Sequence, residues 1–245
     1  MAKTAINLYS VRDLDEPLLE ILERVAAAGY DGVQFSGGLR GTDPAEVRAT
    51  LEETGLETTP AHIGIDVLEE ELESAYGRFG ETLDCGGVVV PYLEAEAFAT
   101  PAAVDATADR LAELAEATAA LGWPLHYHNH DHEFVSLGEE AALERLLARV
   151  PELRLELDVG WALVGGSDPA ALIERYGERI EVLHTKDMVT DEPRGFREIG
   201  EGDVDMEACA YAAHEADVEW LVYEHDEPDE PAASIETGAA YLDSL

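Results

Sequence analysis

Lysine is nearly missing from this sequence: Lys3 and Lys186 are the only two, against 13 arginines. Acidic groups are correspondingly abundant, 54 Asp and Glu against 15 Lys and Arg, giving a formal net charge of −39. That excludes an overall basic surface of the kind that gathers nucleic acid or anionic lipid without specificity. A chain so acidic and lysine-poor, yet 46% hydrophobic, has the composition of a protein from a salt-loving organism, where molar salt screens self-repulsion. It also lowers the weight that any single surface carboxylate carries. Cysteine is scarce: Cys85 and Cys209 lie far apart, match no metal or redox pair, and read as small buried residues. No uninterrupted apolar run reaches the roughly 18 residues of a membrane-spanning helix. Met1-Ala2-Lys3-Thr4 leads straight into a strand-like segment without an apolar leader, so a cytoplasmic location is expected. At 245 residues, with apolar material for one core, the chain is expected to form a single domain over 1–245.

Short apolar runs alternate with longer amphipathic stretches rich in Ala, Leu and Glu. Strands are predicted at Thr4–Leu8, Gly32–Phe35, Glu57–Ala61, Val88–Pro91, Leu125–His130, Leu153–Asp158, Val182–Lys186 and Trp220–Glu224. Helices are predicted at Glu16–Ala28, Pro44–Thr54, Leu68–Leu83, Pro101–Leu121, Glu139–Arg149, Pro169–Tyr176, Met206–Ala216 and Ala232–Leu245. Thr42-Asp43-Pro44, Thr100-Pro101 and Ser167-Asp168-Pro169 each set a capping residue before a proline, and Gly29, Gly55 and Gly122 follow three of the helices. Eight strand–helix alternations imply a parallel sheet sheathed by helices. Closure into a single (β/α)8 TIM barrel removes both sheet edges. The doubly wound open sheet usually carries a glycine-rich turn after its first strand; here that turn reads Tyr9-Ser10-Val11-Arg12-Asp13.

In such barrels the chemistry sits at the carboxyl ends of the strands. Seven of the eight histidines fall at or just past a predicted strand, and only His214 lies in a helix. Asp158, His184, Glu224 and a group from the predicted fifth strand end strands that follow one another around the barrel. Taken singly, each reads as a helix cap, a hydrogen-bonded structural histidine or one more acidic surface group. Taken together, their mixed carboxylate and imidazole character suits one divalent metal ion such as Mn²⁺, Mg²⁺, Co²⁺ or Zn²⁺. Without a cation, buried carboxylates at one point would repel each other strongly.

The segments Tyr127-His128-Asn129-His130-Asp131-His132-Glu133-Phe134, Leu157-Asp158-Val159-Gly160-Trp161, Leu183-His184-Thr185-Lys186-Asp187-Met188, Gly200-Glu201-Gly202 and Tyr223-Glu224-His225-Asp226 resemble those of the xylose-isomerase-like barrel superfamily. Within it they are similar to the sugar phosphate isomerase/epimerase branch, which includes inosose dehydratases and keto-sugar epimerases. Leu8-Tyr9-Ser10-Val11-Arg12 and the His62 segment fit the same branch, and the resemblance covers essentially the whole chain. It implies a metal held by a Glu, an Asp, a His and a second Glu. Asp158, His184 and Glu224 take the last three places. For the first, many relatives carry Glu where this chain has His128; Glu133, the nearest carboxylate, is assigned it, with His128 or His130 as the substitute ligand or a substrate contact. Gln34 departs from the Glu of many relatives on the second strand.

The reaction so implied is proton abstraction next to a carbonyl of a polyol-like substrate, through a metal-stabilised enediolate. Glu133 and Glu224 are the expected base and acid, with Lys186 holding an oxyanion or shuttling a proton. His62, His128 and His130 are candidate partners for sugar hydroxyls, and Trp161 and Tyr9 candidate stacking surfaces. Epimerisation, aldose–ketose isomerisation and dehydration share this first half. Gly200-Glu201-Gly202 puts a carboxylate where a phosphate would need backbone N–H groups, with only Arg194 and Arg197 nearby, so an unphosphorylated sugar, keto-sugar or inositol derivative is favoured over a sugar phosphate. The expectation is therefore a metal-dependent isomerase or epimerase acting on a small molecule, with no nucleic-acid or membrane partner. An inosose-dehydratase-type lyase, an apurinic-site endonuclease-like nuclease and a non-enzymatic sugar-binding protein are the alternatives. Relatives are often dimers or tetramers, so a homo-oligomer is compatible with the sequence, although no exposed apolar stripe marks an interface.

Overall fold

The computed structural model describes residues 2–192 and 194–245. Its parallel sheet runs through β1 (Lys3–Asn7), β2 (Gly32–Gln34), β3 (Glu57–Thr58), β4 (Ala61–His62), β5 (Val88–Val90), β6 (Leu125–His128), β7 (Arg154–Asp158), β8 (Ile180–His184) and, near the C-terminus, β11 (Trp220–Tyr223). The hydrogen-bonded order is β3-β2-β1-β11-β8-β7-β6-β5-β4. The outermost members, β3 and β4, are consecutive in the chain and share one strand position, which closes a TIM barrel. Pro60 explains the break, because it has no N–H to offer a ladder. The flanking residues stitch the seam on both sides: Thr59 N–H reaches Val33 O on β2 at 3.1 Å, and Ala61 N–H reaches Gly87 O beside β5 at 3.1 Å.

Helices α1 (Leu18–Ala28), α2 (Pro44–Thr54), α3 (Ile65–Ala75), α4 (Pro101–Ala120), α5 (Ala142–Arg149), α6 (Val159–Val164), α7 (Pro169–Tyr176), α8 (Met206–Glu215) and α9 (Pro231–Leu242) accompany the strands. Asp43, Thr100 and Asp168 cap α2, α4 and α7 by accepting from Ala45, Ala103 and Ala171 N–H, each with proline in the first turn. Gly29 and Gly55 end α1 and α2 at φ 102° and 77°, a conformation that favours glycine. The helix expected over Leu68–Leu83 begins earlier, at Ile65, and its last part widens into a π-helix over Tyr76–Thr82. Two elements were not expected from periodicity: the short α6, and an antiparallel hairpin of β9 (Asp187–Val189) and β10 (Gly195–Arg197). Both are too short to display a period. No helix among the described residues is long and apolar enough to cross a membrane.

The main core lies between strands and helices, and a second, smaller cluster of Ala5, Val182, Trp220 and Val222 lies apart from it. Side chains two apart on a strand share a face. Moving two residues toward the carboxyl end therefore turns Ala5 into Asn7, Val182 into His184 and Val222 into Glu224 on the same face. The sequence thus builds an apolar plug with a polar layer directly above it, at the end where the site forms.

A candidate metal centre at the barrel mouth

Asp158 ends β7, and its Oδ1 accepts from Trp161 N–H at 2.8 Å, which starts α6 on the next residue. Asn129 clamps the same strand end to the end of β6, donating to Asp158 O at 3.2 Å and accepting from Asp158 N–H at 3.0 Å. His184 ends β8, Glu224 follows β11 and His128 ends β6. One ligand atom from each of His128, Asp158, His184 and Glu224 lies within 4.8 Å of the other three, and all four residues are buried. His128 Nδ1 lies 3.2 Å from Pro91 O. A carbonyl only accepts, so Nδ1 carries a proton, and Nε2 faces Asp158 Oδ2 at 3.3 Å. His128 Nε2 is buried without a hydrogen bond, and the buried Asp158 Oδ2 is compensated by the Lys186 ammonium at 3.1 Å. Ring nitrogens and carboxylates buried together at one point suit a cation. Two imidazoles with two carboxylates form a donor set suited to Mn²⁺, Co²⁺ or Zn²⁺ more than to Mg²⁺, which prefers oxygen throughout.

Cations of the chain already crowd this point. His184 Nδ1 is 2.8 Å from Glu224 Oε2. Burial opposes a charge on that ring, but Glu156 and Glu224 together outweigh it and push its pKa up to about 10. A proton thus stands on Nδ1 where a metal would bind. The Lys186 ammonium sits 3.1 Å from Asp158 Oδ2, 2.9 Å from Glu224 Oε2 and 2.8 Å from Asp226 Oδ1. Burial disfavours its charge as well, yet the three carboxylates raise its pKa well above the ordinary lysine value. Conversely Asp158 and Glu224 are held below the usual carboxylate range, burial being overridden chiefly by Lys186.

Glu133 does not join this group, whose fourth member is His128. Its Oε1 accepts from Tyr127 Oη at 2.5 Å and its Oε2 from His130 N–H at 2.8 Å, so it fastens the loop after β6. Burial raises its pKa. The reason is local: residues 132–134 form a 3-10 turn that points Glu133 back at its own strand. His62 also departs from expectation as a sugar contact. It is buried, and both ring nitrogens are engaged, one by Glu156 and the other by Asn7 at 3.4 Å. His130 remains available: its Nδ1 is unpaired, and its ring lies 5.3 Å from Trp161 and 4.9 Å from Tyr92. Trp161 packs edge-on against Phe196 at 5.4 Å and leaves Nε1 without a partner. Tyr9 is 40% exposed, with the Arg12 guanidinium 4.0 Å from its ring centre.

Glu156, Asp226 and Tyr92 were not singled out from the sequence. Glu156 carries a usable signal, since alternation on β7 puts it on the same face as Asp158, but the abundance of acidic residues masks it. The loop after β8 is organised by Asp187, whose carboxylate accepts from Gly200, Gly202, Val204 and Met188 N–H at 2.8–3.2 Å. Those N–H groups are occupied by a carboxylate. Arg194 and Arg197 are paired with Glu227 and Glu192.

A closed parallel barrel with this cluster at the carboxyl ends of its strands defines a class, and the chain belongs to it: residues 22–245 match the family of xylose isomerase-like TIM barrels. Among curated proteins it is 30% identical over 195 residues to the inosose dehydratase of Geobacillus kaustophilus, covering 70% of this chain and 62% of that protein. The chain thus spans about three-fifths of the curated relatives it matches. A solved sugar phosphate isomerase/epimerase from Parabacteroides distasonis superposes with a TM-score of 0.84 at 22% identity, over 100% of this chain and 95% of the other. The 3-keto-D-glucoside 4-epimerase of E. coli superposes with a TM-score of 0.73 at 17% identity, over the whole of both chains. The curated relatives and fold neighbours of this chain include an inosose dehydratase and sugar epimerases.

Proposed function

We propose that the chain is a metal-dependent isomerase or epimerase acting on an unphosphorylated sugar, keto-sugar or inositol derivative. The observation that carries this reading is the meeting of two imidazoles and two carboxylates beside a buried ammonium at the barrel mouth. His128, Asp158, His184 and Glu224 would hold one divalent ion, which supplies a Lewis acid for a carbonyl and its neighbouring hydroxyl. The close contacts of Glu224 among the described residues run through Oε2, so Oε1 is the atom assigned to take the proton from carbon. As that C–H bond breaks, its electron pair moves toward the carbonyl oxygen. Lys186, which keeps its charge, stabilises the oxygen, and Glu224 Oε1 returns the proton it took, to the neighbouring carbon in an isomerisation. Trp161, His130 and Tyr9 bound the substrate at the rim.

The occupied N–H groups of the Asp187 loop support an unphosphorylated substrate. The free, buried Cys85 and Cys209 fit a reducing cytoplasm, and residues 1–245 act as one catalytic domain on this reading. A lyase is the second reading, favoured by the relative that is an inosose dehydratase; there the same proton loss is followed by departure of a β-hydroxyl. The test is solvent exchange. With Mn²⁺ and a panel of keto-sugars and inosose in D₂O, deuterium should enter carbon next to the carbonyl, and Asp158→Asn should abolish it. An unsaturated product identifies the lyase. Metal binding without exchange on any member of the panel defeats both readings.

A further inference from the structure

We infer that Glu156, together with Gln34, is a positioning residue that fixes the proton of His184 on Nε2 and so presents its Nδ1 to the candidate metal centre. This rests on the metal reading above.

Two backbone atoms in this layer have unambiguous roles. Tyr9 N–H can only donate, and it meets Asn7 Oδ1 at 2.8 Å, so the Asn7 amide nitrogen faces the other way. Its two hydrogens point to Gln34 Oε1 at 2.7 Å and to His62 Nδ1 at 3.4 Å. Pro60 O can only accept, and it meets Gln34 Nε2 at 3.0 Å; the same nitrogen donates to Glu156 Oε2 at 2.6 Å. Gln34 Oε1 is therefore turned toward His184 Nε2, at 2.7 Å, and Glu156 Oε1 reaches the same nitrogen at 3.0 Å. Two acceptors facing one ring nitrogen require a hydrogen on it. His62 completes the set, accepting from Asn7 on Nδ1 and donating from Nε2 to Glu156 Oε1.

This network has a consequence for a second cluster. His62, Glu156 and His184 also bring ligand-type atoms within 4.8 Å of one another. Their facing atoms are all hydrogen-bonded, whereas in the neighbouring group His128 Nε2 has no hydrogen bond and Asp158 Oδ2 meets the Lys186 ammonium. Mutual hydrogen bonds occupy the lower cluster, so the ion is assigned to the upper one. Glu156 lies two residues before Asp158 on β7, so one strand supplies both a ligand and the group that orients a second ligand. A carboxylate behind a ligating histidine fixes its tautomer and raises its basicity, and losing such a partner typically weakens metal binding about 10–100-fold.

The test uses the full chain. Mn²⁺ affinity is measured by titration calorimetry for wild type, Asp158→Asn and Glu156→Gln. Histidine-¹⁵N NMR of the Zn²⁺-loaded wild type locates the retained proton of His184. A 10–100-fold weaker Mn²⁺ affinity in Glu156→Gln, with the His184 proton on Nε2, is the expected result. Mn²⁺ bound by wild type, lost in Asp158→Asn and held by Glu156→Gln within threefold of wild type overturns the positioning role while leaving the metal centre standing. A proton on Nδ1 overturns it without any variant. A wild type that takes up neither ion removes the metal reading and this inference together.

Discussion

Lys186→Met removes the ammonium shared by Asp158, Glu224 and Asp226. Its side chain is 2% exposed and its contacts lie at 2.8–3.1 Å. Taking one partner from a buried ion pair costs about 3–5 kcal/mol, because the other charge stays buried without compensation. For a chain of this size about 1 kcal/mol moves the melting temperature by roughly 2–4 °C, so metal-free Lys186→Met should melt about 6–20 °C below wild type. The other lysine provides the control. Lys3 pairs with Glu57 at 2.6 Å, but with 39% of its side chain exposed, and an exposed pair contributes at most about 1 kcal/mol. Calorimetric melts in chelated buffer and again in saturating Mn²⁺ read both effects. Saturation to about 100 times Kd raises stability by about 2.7 kcal/mol in wild type. The rise should be larger in Lys186→Met, where the ion also neutralises carboxylates left without their ammonium. A metal-free melt within about 2 °C of wild type, or no lower than that of Lys3→Met, would refute the reasoning.

Two further outcomes follow from charge and packing. With 54 acidic against 15 basic side chains, the melting temperature should climb as KCl goes from dilute buffer to molar salt, and a flat response would contradict a salt-adapted surface. Gly202→Ala would drive a Cβ into Asp187 Oδ1 and put it 2.8 Å from Met188 N. That overlap should cost about 1–3 kcal/mol in chemical denaturation, and an unchanged midpoint would show that the Asp187 loop is free to move.

The barrel was legible because its signals are long or punctuated: eight alternations, three proline-marked helix starts and glycine stops. Strand ends could be placed within a few residues. The split of β3 from β4 was not seen, although Pro60 announces a missing N–H, because a proline at one point interrupts a ladder without interrupting the apolar run. The hairpin β9–β10 and helix α6 fall below the length at which a period becomes visible. Strand-end residues Asp158, His184 and Glu224 do converge on one point, since parallel neighbours in register bring their last residues together. Glu133 misled because nearness in sequence to a strand tip says nothing of where a tight turn aims a side chain. Glu156 is hidden for the opposite reason: it lies a single pleat below the strand end, where nothing in the sequence sets it apart from other acidic residues.

Lys186 and Asp187 are neighbours with opposite attachments. One reaches inward to three acids; the other reaches sideways and gathers four amides from the segment 188–204. A single peptide link therefore ties the barrel's central cation to a surface arch, and neither can be repositioned without dragging the other. Redesigning that arch for a new substrate means retuning the electrostatics at the heart of the barrel in the same stroke.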